Sequence, residues 1–593
     1  MQSKKNLQAL RQAMQAHNIQ GYIVFSADPH LSEYLPAHWQ QRAWLSGFDG
    51  SAGFLAITQD EAALWTDSRY WEQAGQQLQD SGFSLQKLGQ AKTPSLCSWL
   101  AQYLQPGDNV ACDGMTLSLA LYQQLSEQLQ AKHLQFQTSV DLLKSIWQDR
   151  PRLSQAAIYA HESQYVGHSR AQKLQMVRDA MSQQGCRWHL ISSLDDMAWC
   201  LNLRGSDVDY NPVFLGHLLI AQERAYLHVN PEQLDDKIIQ ALQADGVEVL
   251  AYEAIAHTLE QIQQDTLLVD ANRVVFGLVQ PYMGQLQQAL NPSQRFKALK
   301  TPDEIAHVRQ AMIQDGIALC QFFSDFEHQL QSGKTLTELD VDEQLTAYRA
   351  QDPNFVSLSF ATIAGFNGNG ALPHYRATPQ SHAVIQGNGL LLIDSGAQYL
   401  NGTTDITRVI PIGKPSKAQK RDFTIVLKGM IQLSQAVFPS NIPAPLLDMY
   451  ARQPLWQAGL DFGHGTGHGV GYFLNVHEGP QVIAHPAYQR PHTAMRDGMI
   501  TSNEPGLYRP HEWGIRIENL MYCYAAETTE FGQFSRFETL TLCPIDSRCI
   551  DLKLMSHEEI EWLNQYHAMV YERLHGSLKG AALEWLTERC QEL

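Results

Sequence analysis

The sequence predicts a multidomain protein of mixed α/β and α+β class, with two successive α/β units ahead of a larger domain. Three observations predict this. At 593 residues the chain is too long for one hydrophobic core. Its first half runs twice through the same order of helix, short apolar strand and loop with acidic residues. Near residue 297 the pattern changes to a long amphipathic helix with its own start signal.

The first unit, residues 1–150, begins with a polar helix carrying Leu7, Leu10 and Met14 at helical spacing. Gly21-Tyr22-Ile23-Val24-Phe25 follows as a short strand. The apolar runs 52–57 and 62–65 around Thr58-Gln59-Asp60-Glu61 predict a hairpin. Polar, proline-containing residues 146–152 read as a linker. In the second unit, 151–296, a helix over about 169–184 precedes a strand at 186–191 and a loop with Asp195 and Asp196. The shared order suggests a duplicated domain. The third domain, 297–593, opens with Thr301 as N-cap, Pro302 at the first helical position and Glu304 at the third, a capping box. Ile305, Val308, Met312, Ile317 and Leu319 continue one apolar face.

Apolar residues make up 44% and charged residues 18%, ordinary for a globular protein. A net charge of -18 argues against general nucleic-acid or anionic-membrane binding. No stretch reaches about 18 apolar residues, so no membrane span is expected. The nine cysteines are scattered and form no CxxC pair, which predicts reduced, buried thiols. With no apolar segment after Lys4 and Lys5, the expected location is cytoplasmic.

Five segments of the third domain carry the chemistry. Leu390-Leu391-Leu392-Ile393 reads as a buried strand ending in Asp394, a costly place for an acid unless it is paired or bound to a metal. Asp405 lies beyond Asn401-Gly402, a hairpin signal. A two-residue turn there would set Asp394 opposite Val409. For the two acids to share a site, the turn must centre nearer Tyr399-Leu400 or be bulged. In Gly463-His464-Gly465-Thr466-Gly467-His468-Gly469-Val470-Gly471, five glycines in nine residues exclude a stable helix and let the backbone approach a site closely. His477 follows. A single histidine is more often structural, but three within fourteen residues of glycine-rich chain point to a site. The last two segments are Asn503-Glu504-Pro505-Gly506 and Gly514-Ile515-Arg516-Ile517-Glu518-Asn519. Alternation in the latter predicts a strand with Arg516 and Glu518 on one face: a surface ion pair, or an arginine orienting a ligand carboxylate.

Asp394, Asp405, His468, Glu504 and Glu518 together are four carboxylates and one imidazole. Their charge calls for two divalent cations, and the oxygen-rich set suits manganese, with zinc or cobalt as alternatives. These segments, in this order, resemble the creatinase/prolidase/methionine aminopeptidase superfamily, whose catalytic domain has the pita-bread fold. Ala371-Leu372-Pro373-His374-Tyr375, His477-Glu478-Gly479-Pro480, Gly47-Phe48-Asp49-Gly50-Ser51 and Thr66-Asp67-Ser68-Arg69-Tyr70 are similar to the long, three-domain Xaa-Pro aminopeptidases. The resemblance implies two creatinase-like N-terminal α/β domains and a pita-bread catalytic domain with a C-terminal helical extension. It also implies a homodimer that releases the first residue of peptides with proline second. On the same ground Glu504 is ligand and proton shuttle, His374 and His477 contact peptide and developing charge, His464 lines the site, and Arg69 reaches the substrate. The two leading domains, one carrying Arg69 in an aromatic-rich segment (Trp65, Tyr70, Trp71), are expected to wall the amino-terminal side of the catalytic cleft. Prolidase, which takes dipeptides, and a metal-free peptide-binding module are the alternatives.

Overall fold

Two six-stranded sheets of one topology build the first half of the chain. The computed structural model describes residues 2–487 and 493–593, which divide into two compact units. Unit 1 holds residues 1–161 and 168–293, and unit 2 holds 162–167 and 294–593.

In unit 1 the first sheet contains β1 (Gly21–Phe25), β2 (Phe54–Thr58), β3 (Ala62–Thr66), β4 (Ser84–Lys87), β5 (Asn109–Ala111) and β6 (Gln135–Gln137) in the order β4-β3-β2-β1-β5-β6. The predicted hairpin is β2–β3, with Ile57 opposite Ala62. The second sheet contains β7 (Trp188–Ile191), β8 (His217–Ala221), β9 (Ala225–Val229), β10 (Val247–Ala251), β11 (Thr266–Val269) and β12 (Gln285–Gln288) in the order β10-β9-β8-β7-β11-β12. Each sheet has a central antiparallel meander with parallel strands added at both ends. The duplication suggested by element order is therefore present in the strand pairing.

One expectation for this half is corrected. Asp195 and Asp196 lie in the first turn of the helix Leu194–Leu201, not in a loop. Their charge suits the positive end of the helix, and both pair with Arg273, at 3.2 and 3.5 Å. Trp65 and Tyr70 are core residues, 0% and 3% exposed. Both faces of this sheet are covered, Trp65 packing with Phe54 and Trp99 on one face and Leu64 lying in the core on the other.

Unit 2 is organised by the 30-residue helix Pro302–Gln331, whose Thr301–Glu304 capping box forms as predicted. Ile305, Val308, Met312, Leu319, Phe322, Phe323 and Phe326 bury one face in the main core. Three strands pack into that core: β13 (Ile363–Phe366), β14 (Gly389–Ser395) and β17 (Ile406–Ile412), with β14 central. A short hairpin, β15 (Ala397–Tyr399) and β16 (Gly402–Thr403), joins β14 to β17. A second, antiparallel sheet contains β18 (Gly467–Gly469), β19 (Glu478–Ile483), β20 (Ile500–Asn503), β23 (Asn519–Thr529) and β24 (Gly532–Thr539) in the order β24-β23-β20-β18-β19, with Phe438–Pro439 on the β24 edge. The hairpin β21 (Gly506–Arg509) and β22 (Trp513–Arg516) leaves and re-enters it. Two helices, His557–Leu574 and Gly580–Arg589, close the chain, and Trp585 stacks on Phe323.

All nine cysteines are free, and eight are buried. Among the described residues no helix is long and apolar enough to cross a membrane.

Candidate metal centre

Register brings the first two acids together. Asp394 pairs with Thr407 across β14–β17, and Gln398 with Thr403 across β15–β16. The turn therefore centres on Leu400-Asn401, between the two positions considered from sequence. Continuing the register sets Asp405 opposite Gly396, on the same face as Asp394 and one diagonal step away. Packing fixes this turn. Asn401 Nδ2 donates to Gln314 Oε1 at 2.9 Å, and a side chain on Gly402 would run into Ala311 of the long helix. The glycine is there for close approach, and the Asn-Gly pair does not form the central turn positions.

His468 stands on β18, where a Cβ on Gly467 would meet the Ser502 carbonyl and one on Gly469 the Glu478 carbonyl. The flanking glycines let three strands close around the imidazole. Its Nδ1 lies 2.9 Å from Gly469 O, which assigns that nitrogen as donor and turns Nε2 toward the acids. Nε2 lies 3.5 Å from Asp405 Oδ2 and 3.4 Å from Glu504 Oε1. Glu504 follows β20 and accepts from Ser502 Oγ at 3.1 Å. Glu518 accepts from Thr407 Oγ at 2.8 Å.

The single strand expected over 515–518 is interrupted. It ends at Arg516 and resumes at Asn519, because the chain passes from pairing with β21 to pairing with β20. Arg516 and Glu518 are nevertheless both buried and electrostatically coupled. Arg516 donates to Asp394 Oδ2 at 2.5 Å, to Tyr508 Oη at 2.6 Å and to Pro373 O at 3.3 Å.

Ligand atoms of Asp405, His468 and Glu518 lie within 4.8 Å of one another. Asp394 and Glu504 adjoin them: after burial and Asp405, their charges help to raise Glu518. Burial raises Asp394 to about 6, with Asp405 adding to the effect and Arg516 opposing it. Burial likewise raises Glu504 to about 7 and Glu518 well above the carboxylate range. Burial pulls His468 down, but Asp405 and Glu504 outweigh it and hold the imidazole at about 9. Asp394 Oδ1 and Glu518 Oε1 are buried without a hydrogen-bond partner. Four crowded carboxyls, two with bare buried oxygens, are the donor set that hard or borderline divalent cations satisfy.

The remaining predicted residues divide between the units. His477 packs edge-on against His468, ring centroids 4.4 Å apart. His464 Nε2 is 2.7 Å from Tyr508 Oη, which links it through Arg516 to Asp394. His374 is half-buried beside Pro373. Arg69 belongs to unit 1, where Asp67 takes both its Nε and Nη2, at 2.8 and 2.7 Å. Sequence reasoning missed Thr407 and Tyr508. Thr407 stands two residues beyond Asp405 on the same strand face, a signal that alternation could have given; Tyr508 is fixed by the β21–β22 pairing and had none.

Residues 306–525 match metallopeptidase family M24, and 533–593 match the C-terminal region of that peptidase family. Residues 6–146 and 149–304 each match the creatinase/prolidase N-terminal domain. Aminopeptidase P2 of Arabidopsis thaliana is 37% identical over 97% of this chain and 86% of its own length. A probable Xaa-Pro aminopeptidase P of Laccaria bicolor is 37% identical over 99% of this chain and 93% of its own. The crystal structure of an X-prolyl aminopeptidase from Caenorhabditis elegans, described as a cytosolic enzyme with a di-nuclear active site, superposes with a TM-score of 0.94. It is 32% identical, over 100% of both chains. Two creatinase-type α/β domains precede a pita-bread catalytic domain here too, and the chain belongs to the Xaa-Pro aminopeptidase P family of M24 metallopeptidases.

Proposed function

We propose that this protein is a metal-dependent exopeptidase that releases the N-terminal residue from peptides with proline in second position. The observation that carries the reading is the buried cluster of four carboxyls and one imidazole, in a chain alike over its full length to an X-prolyl aminopeptidase. Asp394, Asp405, His468, Glu504 and Glu518 are the proposed ligands of two divalent ions, manganese in preference to zinc or cobalt. When bound, such ions supply Lewis acidity and lower the pKa of water.

The chain's own groups do the rest. The scissile bond is a tertiary amide whose nitrogen has no hydrogen, so the proline nitrogen must gain a proton before it leaves. Glu504 takes a proton from the attacking water and returns it to that nitrogen. His477, next to His468, and His374 contact the peptide and the charge that develops on the carbonyl oxygen. Arg516 holds Asp394 in orientation, and the Tyr508 hydroxyl holds both Arg516 and His464. A role for Arg69 at the substrate rests on sequence resemblance alone.

Cleavage of Xaa-Pro-Yaa, Xaa-Pro and Met-Ala-Yaa peptides with added manganese tests the reading. Release of the first residue from Xaa-Pro-Yaa alone supports it; preference for the dipeptide would make the protein a prolidase. We place the protein in the cytosol, where its free buried thiols are stable. We also propose a homodimer: Met449, Tyr450 and Trp456 on the helix Asp448–Gln457, with Leu446 just before it, expose an apolar face. Sedimentation should give a dimer for the wild type and a smaller species for Met449→Asp; a monomeric wild type refutes this.

A further inference from the structure

A fully buried ion-pair triad stands beside the centre and serves no step described so far. The Lys297 and Lys300 side chains are each 1% exposed, and that of Glu478 is 0% exposed. Lys300 Nζ donates to Glu478 Oε1 at 2.5 Å, and Lys297 Nζ lies 3.1 Å from Oε2, one lysine at each carboxylate oxygen. Lys297 is on the helix Pro292–Ala298 and Lys300 just beyond it, where the chain enters unit 2. Lys300 is also anchored by its backbone, whose N–H donates to Gly498 O at 2.9 Å.

Glu478 is bonded directly to His477 and is the first residue of β19. Its backbone faces Gly469, the neighbour of His468 on β18, across a register shift at that point. The segment before it is tethered too: Gln398 Nε2 donates to Leu474 O at 2.7 Å, and the Thr403 hydroxyl donates to the same carbonyl at 3.3 Å. The segment 474–478 is thus clamped at both ends, with His477 between the clamps. Stability alone does not explain such a triad. Desolvation of three buried charges offsets most of their attraction, and apolar side chains of similar size would pack as well. What the charges add is a fixed direction and distance for the backbone at Glu478.

Resting on the peptidase reading above, we propose that Lys297 and Lys300 are positioning residues for the reaction, acting through Glu478 to fix the His477 imidazole at the edge of His468. A displacement of about 1 Å at such a group costs up to about a hundredfold in rate.

The test is a cycle of Glu478→Gln and His477→Ala in the metal-loaded protein, followed by kcat and KM on an Xaa-Pro-Yaa peptide and by metal content. Glu478→Gln should lower kcat by about 10- to 100-fold with both metals retained and KM little changed. In the His477→Ala background the same change should cost less than about twofold, because the group it positions is gone. Lys300→Arg, which keeps the charge, should retain most of the activity that Lys300→Met loses. If the single variants fail to fold, the uncharged triple variant Lys297→Met, Lys300→Met, Glu478→Leu takes their place, with the same expected loss of kcat. An equal fold-loss in both backgrounds, or an unchanged kcat, overturns the proposal. A second readout needs no turnover. The ¹³Cε1 histidine resonance that disappears in His477→Ala should move in Glu478→Gln, and an unmoved resonance also overturns it. A wild type that cleaves no peptide refutes the peptidase reading and leaves this resonance to decide the positioning.

Discussion

Replacing Glu504 with glutamine should stabilise the metal-free protein and weaken the metal-loaded one. Burial raises this carboxyl from 4.5 to about 7; His468 and Arg516 oppose the rise, while Asp405 and Asp394 add to it. The fold thus holds the proton more tightly than the unfolded chain does. The sign follows by linkage: the penalty is absent below pH 4.5, grows as pH rises, and is complete above about 7. At about 1.4 kcal/mol per pH unit it reaches roughly 3 kcal/mol. Metal-free Glu504→Gln should therefore be more stable than wild type by up to about 3 kcal/mol at pH 8, and by almost nothing at pH 4.5. Glutamine keeps an oxygen for the Ser502 hydroxyl, so that hydrogen bond survives. Manganese reverses the order. A site that binds only the folded state adds about 2.7 kcal/mol at a hundredfold excess over Kd, and the variant has lost a proposed ligand. Urea unfolding of chelator-treated and manganese-loaded protein at both pH values, with metal content measured alongside, gives all four comparisons. A metal-free variant that is less stable at pH 8, with metal-dependent stabilisation intact, would refute the reasoning.

Manganese affinity should rise between pH 5.5 and 8.5, because Asp394 (about 6), Glu504 (about 7) and His468 (about 9) must each give up a proton to act as ligands. Calorimetry in two buffers of different ionisation enthalpy should report proton release, and pH-independent binding would contradict the assigned donors. His477→Ala should lose about a hundredfold or more in kcat/KM yet keep its metals; metal loss would move His477 among the ligands. Xaa-Pro-Yaa and longer peptides should be cut, Xaa-Pro dipeptides weakly, and N-acetylated peptides not at all. A dipeptide cut faster than its tripeptide counterpart would favour the prolidase reading.

Much of this was legible in the chain because the signals are local. The Thr301–Glu304 capping box depends on four consecutive residues, and it forms. The β2–β3 hairpin follows from two apolar runs around a polar turn. The glycines around His468 excluded a helix, and β18 is a strand. Where a distant partner decides, local reading failed. Asp195 and Asp196 looked like loop residues, yet Ser193 opens a helix there whose first turn is held by Arg273, far along the chain.

The sequence by itself determined which chemistry was possible: four acids and a histidine, at strand ends and between glycines, are a metal donor set wherever the chain puts them. It determined the local elements that carry them and the repeated order of the first half. Only the tertiary structure decided that Asp394 and Asp405 sit one diagonal step apart, since that offset depends on how Asn401 and Gly402 pack against the long helix. Only it joined Tyr508 to Arg516 and His464, and set Lys297 and Lys300 against Glu478. Those contacts span up to about 180 residues of chain. Residue type and spacing fix what a side chain can do, but strand register and buried charge pairing, settled by the whole core at once, fix what it meets.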